Sequence, residues 1–112
     1  DEQCFLELLD IFLDNAVKYC DDGGTIRLTL RKGKKDGTAA LAISNDYAAG
    51  EHEDYTRFFE RFYRSDESHN SAKAGYGIGL SMAREILGML KGKIRVSWKD
   101  GRITFSMVIP SL

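Results

Sequence analysis

The chain has 112 residues, enough for one domain with one core, and its 43% hydrophobic and 11% aromatic content excludes a disordered segment. Its 16 basic and 17 acidic residues leave a formal charge of -1, so neither nucleic acid nor an anionic membrane is expected as a partner, and any phosphate site must be built locally by a loop. No apolar run reaches the roughly 18–20 residues of a membrane span, and no signal-peptide pattern opens the chain.

The polar start Asp1-Glu2-Gln3 runs straight into a helical pattern, which suggests a piece of something longer. Over residues 4–20, Phe5, Leu8, Leu9, Phe12, Leu13, Ala16 and Val17 recur at three- and four-residue steps and predict an amphipathic helix. Asp22-Gly23-Gly24 ends it. Cys4 and Cys20 would lie about 24 Å apart along that helix, too far for a disulfide, and read as reduced thiols of a cytosolic protein. Thr25 to Arg31 alternates as a strand with one buried face, and Lys32 to Gly37 is a polar turn. Thr38 to Ser44 is a second strand, more apolar and more central.

Asp54 to Arg64 carries Tyr55, Phe58, Phe59 and Phe62 at helical spacing, and the polar stretch Ser65 to Ala74 predicts a mobile loop. Gly75-Tyr76-Gly77-Ile78-Gly79 leads into a helix from Gly79 to Leu90, with Met82, Ala83, Ile86, Met89 and Leu90 as its buried arc. Two strands close the chain, Lys93–Lys99 and Arg102–Ile109, joined by the hairpin signal Asp100-Gly101. Helices are segregated from antiparallel hairpins, so the expected class is α+β, a two-layer α/β sandwich in one domain over residues 1–112.

Two features carry chemistry. Gly75, Gly77 and Gly79 stand on alternate residues before a helix, where glycine lets a ligand approach the main chain and the helix start offers free N–H groups to phosphate. No strand precedes them, as a dinucleotide fold requires, and the G-x-x-x-x-G-K-[ST] loop is absent. A plain turn is the other reading. On the first helix, Ile11, Asn15 and Lys18 share one edge while Asp14 faces outward. An amide oxygen can ligate magnesium and a lysine can meet phosphate, or both can be ordinary boundary residues.

Three motifs then converge. Asp14-Asn15-Ala16-Val17-Lys18-Tyr19 followed by Gly23-Gly24 resembles the asparagine box of sensor histidine kinases. Phe59-Glu60-Arg61-Phe62-Tyr63-Arg64-Ser65-Asp66 is similar to their phenylalanine box, and Gly75 to Ser81 resembles their second glycine box. The order and spacing match over essentially the whole chain. The family shares its ATP-binding fold with DNA gyrase and MutL, the Bergerat fold, a mixed and mostly antiparallel sheet packed on helices.

The resemblance implies ATP and magnesium as cofactors. Asn15 would ligate the metal, Lys18 would contact phosphate, Tyr19 would lie against the nucleotide, and Arg64 would stand near the terminal phosphates beside Tyr63. Gly75, Gly77, Gly79 and Leu80 would wrap the phosphates through main-chain N–H groups, with Tyr76 and Ile78 in the same cradle, and residues 65–74 would form a lid. The first glycine box departs from D-x-G-x-G. Asn45 takes the place of the aspartate that accepts from the adenine amine, Tyr47 and Ala49 replace glycines, and Asp46 is the acceptor if the register slips by one. Ile11 stands where a polar residue is common.

The resemblance implies a phosphoacceptor histidine on a separate dimerisation domain, and His52 and His69, in polar, irregular stretches, read as surface residues. Phosphoryl transfer then relies on positioning and charge rather than on covalent protein chemistry. The implied setting is the cytoplasmic part of a membrane-anchored bacterial sensor, with its own phosphoacceptor domain and a response regulator as partners, and no nucleic acid or membrane contact by this domain. A degenerate module without kinase activity is the alternative, and a serine-directed relative acting on an anti-sigma antagonist fits less well.

Overall fold

Apolar residues at helical spacing wind Glu2–Tyr19 into α1, with Glu2 in its first turn and Lys18 in its last, the favourable ends for their charges. These coordinates are a computed structural model, which describes residues 2–52 and 76–110. Two strands follow, β1 (Ile26–Lys32) and β2 (Thr38–Asp46), then a single 3-10 turn at Ala48–His52. Helix α2 (Tyr76–Met89) and strands β3 (Lys93–Lys99) and β4 (Arg102–Pro110) complete the described chain. The expected helix at 54–64 and loop at 65–74 lie outside the described residues.

The strands form one sheet in the order β1-β2-β4-β3, and all three described pairings are antiparallel. The two apolar strands β2 and β4 therefore take the centre. At the β3–β4 hairpin, Asp100 and Gly101 both adopt positive φ, 50° and 82°, the backbone a two-residue turn needs to follow the twist of its strands. Helix α1 packs on β2, α2 packs on β3, and the helices touch each other, giving a two-layer sandwich.

The core lies between these layers. Leu8, Phe12 and Ala16 from α1 and Leu80, Ala83, Ile86 and Leu87 from α2 meet Leu41, Ile43, Ile103, Phe105, Met107 and Ile109. Phe12 and Phe105 stack tilted, ring centres 5.2 Å apart. The expected faces hold for Phe5, Leu8, Leu9, Phe12, Leu13 and Ala16 of α1 and for Ala83, Ile86 and Leu90 of α2, with exceptions at the margins. Val17 is 69% exposed while Asn15 and Tyr19 are buried, and Met82 and Met89 are exposed while Leu80 and Leu87 are buried. The apolar residues span more than one face of each helix, and packing against the sheet and the other helix covers only part of them.

Strand β1 also departs from expectation. Ile26, Leu28 and Leu30 pair with Asn45, Ile43 and Leu41 and so share the helix-facing side, yet Leu30 is 61% exposed. The helices sit over β2 and β3, and the edge strand extends beyond them.

Candidate functional site

The end of α1 and the end of β2 are tied together by Asp21. Its main-chain N–H donates to the Asp46 carbonyl at 2.9 Å, and its Oδ2 accepts from the N–H of Ala48 at 2.9 Å. Asn15 and Tyr19, four residues apart, look inward from the last turns of α1. The Tyr19 ring meets Tyr47 edge-on at 6.2 Å, just beyond the end of β2.

Asn15 is 4% exposed, and its Oδ1 has no hydrogen-bond partner among the described residues. Leaving a buried amide oxygen unsatisfied costs about 1–3 kcal/mol, so such an atom signals a missing partner. Lys18, on the solvent side of the same edge, pairs with Asp14 at 3.1 Å, an exposed contact that a stronger anion could displace. Among the described residues no three His, Cys, Asp or Glu side chains gather to cage a metal. The donor is instead an amide oxygen, a hard ligand of the kind magnesium accepts, and that ion keeps several of its waters and needs few protein ligands.

Strand alternation decides between Asn45 and Asp46. Leu41, Ile43 and Asn45 point to the helices, and Asn45 is 2% exposed with its Nδ2 donating to the Asp46 carbonyl at 3.0 Å. Asp46 turns to the opposite face, where its carboxylate accepts from Thr25 N–H at 2.7 Å and from Arg102 Nη1 at 2.8 Å. The slipped register, with Asp46 facing the site, is thereby excluded. Its carboxyl is held below the ordinary value first by the Thr25 N–H, with burial opposing and Arg102 and then Arg27 adding to the effect.

The glycine loop is shorter than expected. Helix α2 begins at Tyr76 instead of Gly79, so Gly77, Ile78 and Gly79 are already helical. Leu80 is the fifth residue of the helix, where the amide bonds back within the helix, and its side chain is buried in the core. Its expected role as an N–H donor to phosphate is corrected to one of packing. The amides of the first turn, from Tyr76 onward, remain as donors. Tyr63, Arg64 and Gly75 lie outside the described residues.

Trp98 is a site residue the sequence reading missed. Its indole N–H donates to the Tyr47 carbonyl at 2.7 Å. The register carries one row across the helix-facing side of the sheet, Ile26–Asn45–Ile103–Trp98. The alternation Ile94, Val96, Trp98 already placed Trp98 on that side, and counting back from the Asp100-Gly101 turn pairs it with Ile103. Tyr47 N–H also donates to the Gly101 carbonyl at 2.7 Å, so the segment after β2 is pinned from two directions without the usual glycines.

The sequence pattern of the family described as histidine kinase-, DNA gyrase B-, and HSP90-like ATPase matches residues 1–112. The chain is 35% identical over 102 residues to the sensor protein CiaH of Streptococcus pneumoniae, a match covering 91% of this chain and 22% of that protein. The chain thus spans about a fifth of the length of that relative. Among solved structures, the mycobacterial sensor histidine kinase MprB superposes with a TM-score of 0.80 at 25% identity, over 98% of this chain and 74% of that one. Full-length ShkA, solved in complex with AMPPNP, superposes with a TM-score of 0.77 at 23% identity, over 98% of this chain and 22% of that one.

Proposed function

The chain belongs to the family of histidine kinase-, DNA gyrase B- and HSP90-like ATPases, and from that membership we propose that it is the ATP-binding part of a sensor histidine kinase, presenting magnesium-bound ATP to a histidine on a separate dimerisation domain. The observation that carries this reading is the buried, unpartnered Oδ1 of Asn15. The ShkA fold neighbour holds AMPPNP, so the fold accommodates an adenine nucleotide.

In this reading Asn15 holds the magnesium through Oδ1, and Lys18 exchanges Asp14 for a phosphate oxygen. The first-turn amides of α2 receive phosphate, aided by the positive end of the helix dipole. Tyr63 and Arg64 would reach the nucleotide from outside the described residues. Asn45, its Nδ2 committed to the Asp46 carbonyl, offers Oδ1 as acceptor to the exocyclic amine of adenine. Bound magnesium would supply charge neutralisation on the phosphates. The protein's own share is orientation and exclusion of water, which is most of what phosphoryl transfer asks of it. The acceptor histidine and a response regulator complete the reaction elsewhere, in a bacterial sensor whose ATP-binding part works in the cytoplasm.

Titration calorimetry with ATP and ADP, with and without magnesium, tests the assignment. Magnesium-dependent binding that is lost in Asn15→Ala is the expected result; equal binding by the variant would remove Asn15 from the metal site.

One observation favours a second reading, a domain that couples signalling modules and holds nucleotide weakly. Tyr47 stands in place of a glycine with its ring buried. Failure of the chain to bind ATP with magnesium present, in a sample that melts cooperatively, would select this reading.

A further inference from the structure

The charge balance of the sequence does not survive folding. Side chains that alternate away from the helices in β1, β2, β4 and β3 form a second sheet face, and no other described element covers it. The register lays it out in cross-sheet rows: Arg27–Ser44–Thr104–Ser97, Thr29–Ala42–Ser106–Arg95 and Arg31–Ala40–Val108–Lys93, with Asp46–Arg102–Lys99 at one end. Six cations therefore share this face, namely Arg27, Arg31, Lys93, Arg95, Lys99 and Arg102. Its sole acid among the described strands is Asp46, already paired with Arg102 at 2.8 Å. The other five cations are exposed.

We propose that this open sheet face is a docking surface for an anionic lipid bilayer. The five exposed cations stand on the two outer strands, about 14 Å apart from three strand spacings, and extend about 20 Å along β3. Lys93 and Arg95 stand about 7 Å apart, within one Debye length of about 10 Å at 0.1 M salt, while the other neighbours lie about 13–14 Å apart, so the cations act on a surface together most strongly at low salt. Between them the floor is made mostly of small side chains, Ala40, Ala42, Ser44, Thr104 and Ser106, with Val108 the largest, so the long cationic side chains can reach a broad surface.

The same face lacks what other polyanionic or protein partners use. Among the described residues it carries no aromatic ring on which bases could stack, and Val108 is its one large apolar side chain. A shallow, charged face with little apolar content suits a diffuse anionic plane better than a protein hot spot. The candidate nucleotide site lies on the other, helix-covered side of the sheet, so docking leaves it open.

Co-sedimentation of the 112-residue chain with vesicles of phosphatidylcholine containing about 30% phosphatidylserine tests this, with pure phosphatidylcholine vesicles alongside. Binding to the anionic vesicles alone is expected, lost as salt rises to about 0.5 M. Removing one cation should weaken binding about fivefold, so R95Q/K99Q should lose roughly 25-fold and R95E/K99E more. Both variants change exposed side chains and should melt within a few degrees of the parent; if the reversal variant does not fold, the neutral pair carries the test. Equal binding to neutral vesicles, no binding at low salt, or binding indifferent to R95Q/K99Q would overturn the proposal. So would complete transfer of the chain from vesicles to a short DNA duplex at equal phosphate concentration.

Discussion

Trp98 donates its indole N–H to the main-chain oxygen of Tyr47 across 2.7 Å, joining β3 to the segment that follows β2. Trp98→Phe keeps the ring bulk and removes the donor. We expect a loss of about 0.5–1.5 kcal/mol in urea unfolding, the net worth of one such bond. Trp98 is the single tryptophan of the chain, so its emission should also shift when ATP and magnesium are added. Unchanged stability in Trp98→Phe would show that the bond does not hold the segment.

Asn15 sets function against stability. Its buried Oδ1 finds no partner among the described residues, so Asn15→Ala removes an unsatisfied group along with a little packing. The thermal midpoint without nucleotide should hold steady or rise, while the stabilisation given by ATP and magnesium disappears. A fall of several degrees without nucleotide would mean that Asn15 is held by the protein itself.

Asp46 makes stability depend on acid. Its folded pKa is lowered by the Thr25 N–H and by Arg102, from an ordinary value of 3.8. A depressed carboxyl stabilises the fold above its unfolded pKa, and that contribution is lost as pH falls through the folded one. Stability should therefore decline as pH drops below about 4, and Asp46→Asn should flatten that part of the profile. Chemical unfolding at several pH values checks it, and identical slopes for parent and variant would rule the pair out as the source.

Lys91 ends α2 in a left-handed conformation, φ 60°. The Gly92 N–H donates to the Leu87 carbonyl and the Lys91 N–H to the Gly88 carbonyl, the two bonds of a Schellman cap. Glycine accepts that backbone without strain. Lys91→Gly should stabilise the chain by about 1 kcal/mol, read as a higher urea midpoint with unchanged slope.

The sequence made much of this legible. Both helices and all four strands among the described residues, and the Asp100-Gly101 turn, follow from local periodicity and turn chemistry, and the motifs that resemble sensor histidine kinases are read directly from the chain. The inward faces of the helices were less legible, because Leu, Met and Val occur on several sides and packing partners chose among them. Leu80 looked like a phosphate contact from its place beside Gly79, but the helix starts early enough to bury it. Trp98 was missed because its partner, Tyr47, is 51 residues away.

By itself the sequence determined the elements, the ATPase family and Asn15 as the residue to watch, since each depends on neighbours within a turn or on a motif read in order. Only the tertiary structure decided that Asn45 faces the site and Asp46 does not. Only it set Trp98 against Tyr47 and gathered six cations from three strands onto one face of a chain with a net charge of -1. Strand order and register bring distant residues side by side, and a sum over the sequence contains neither.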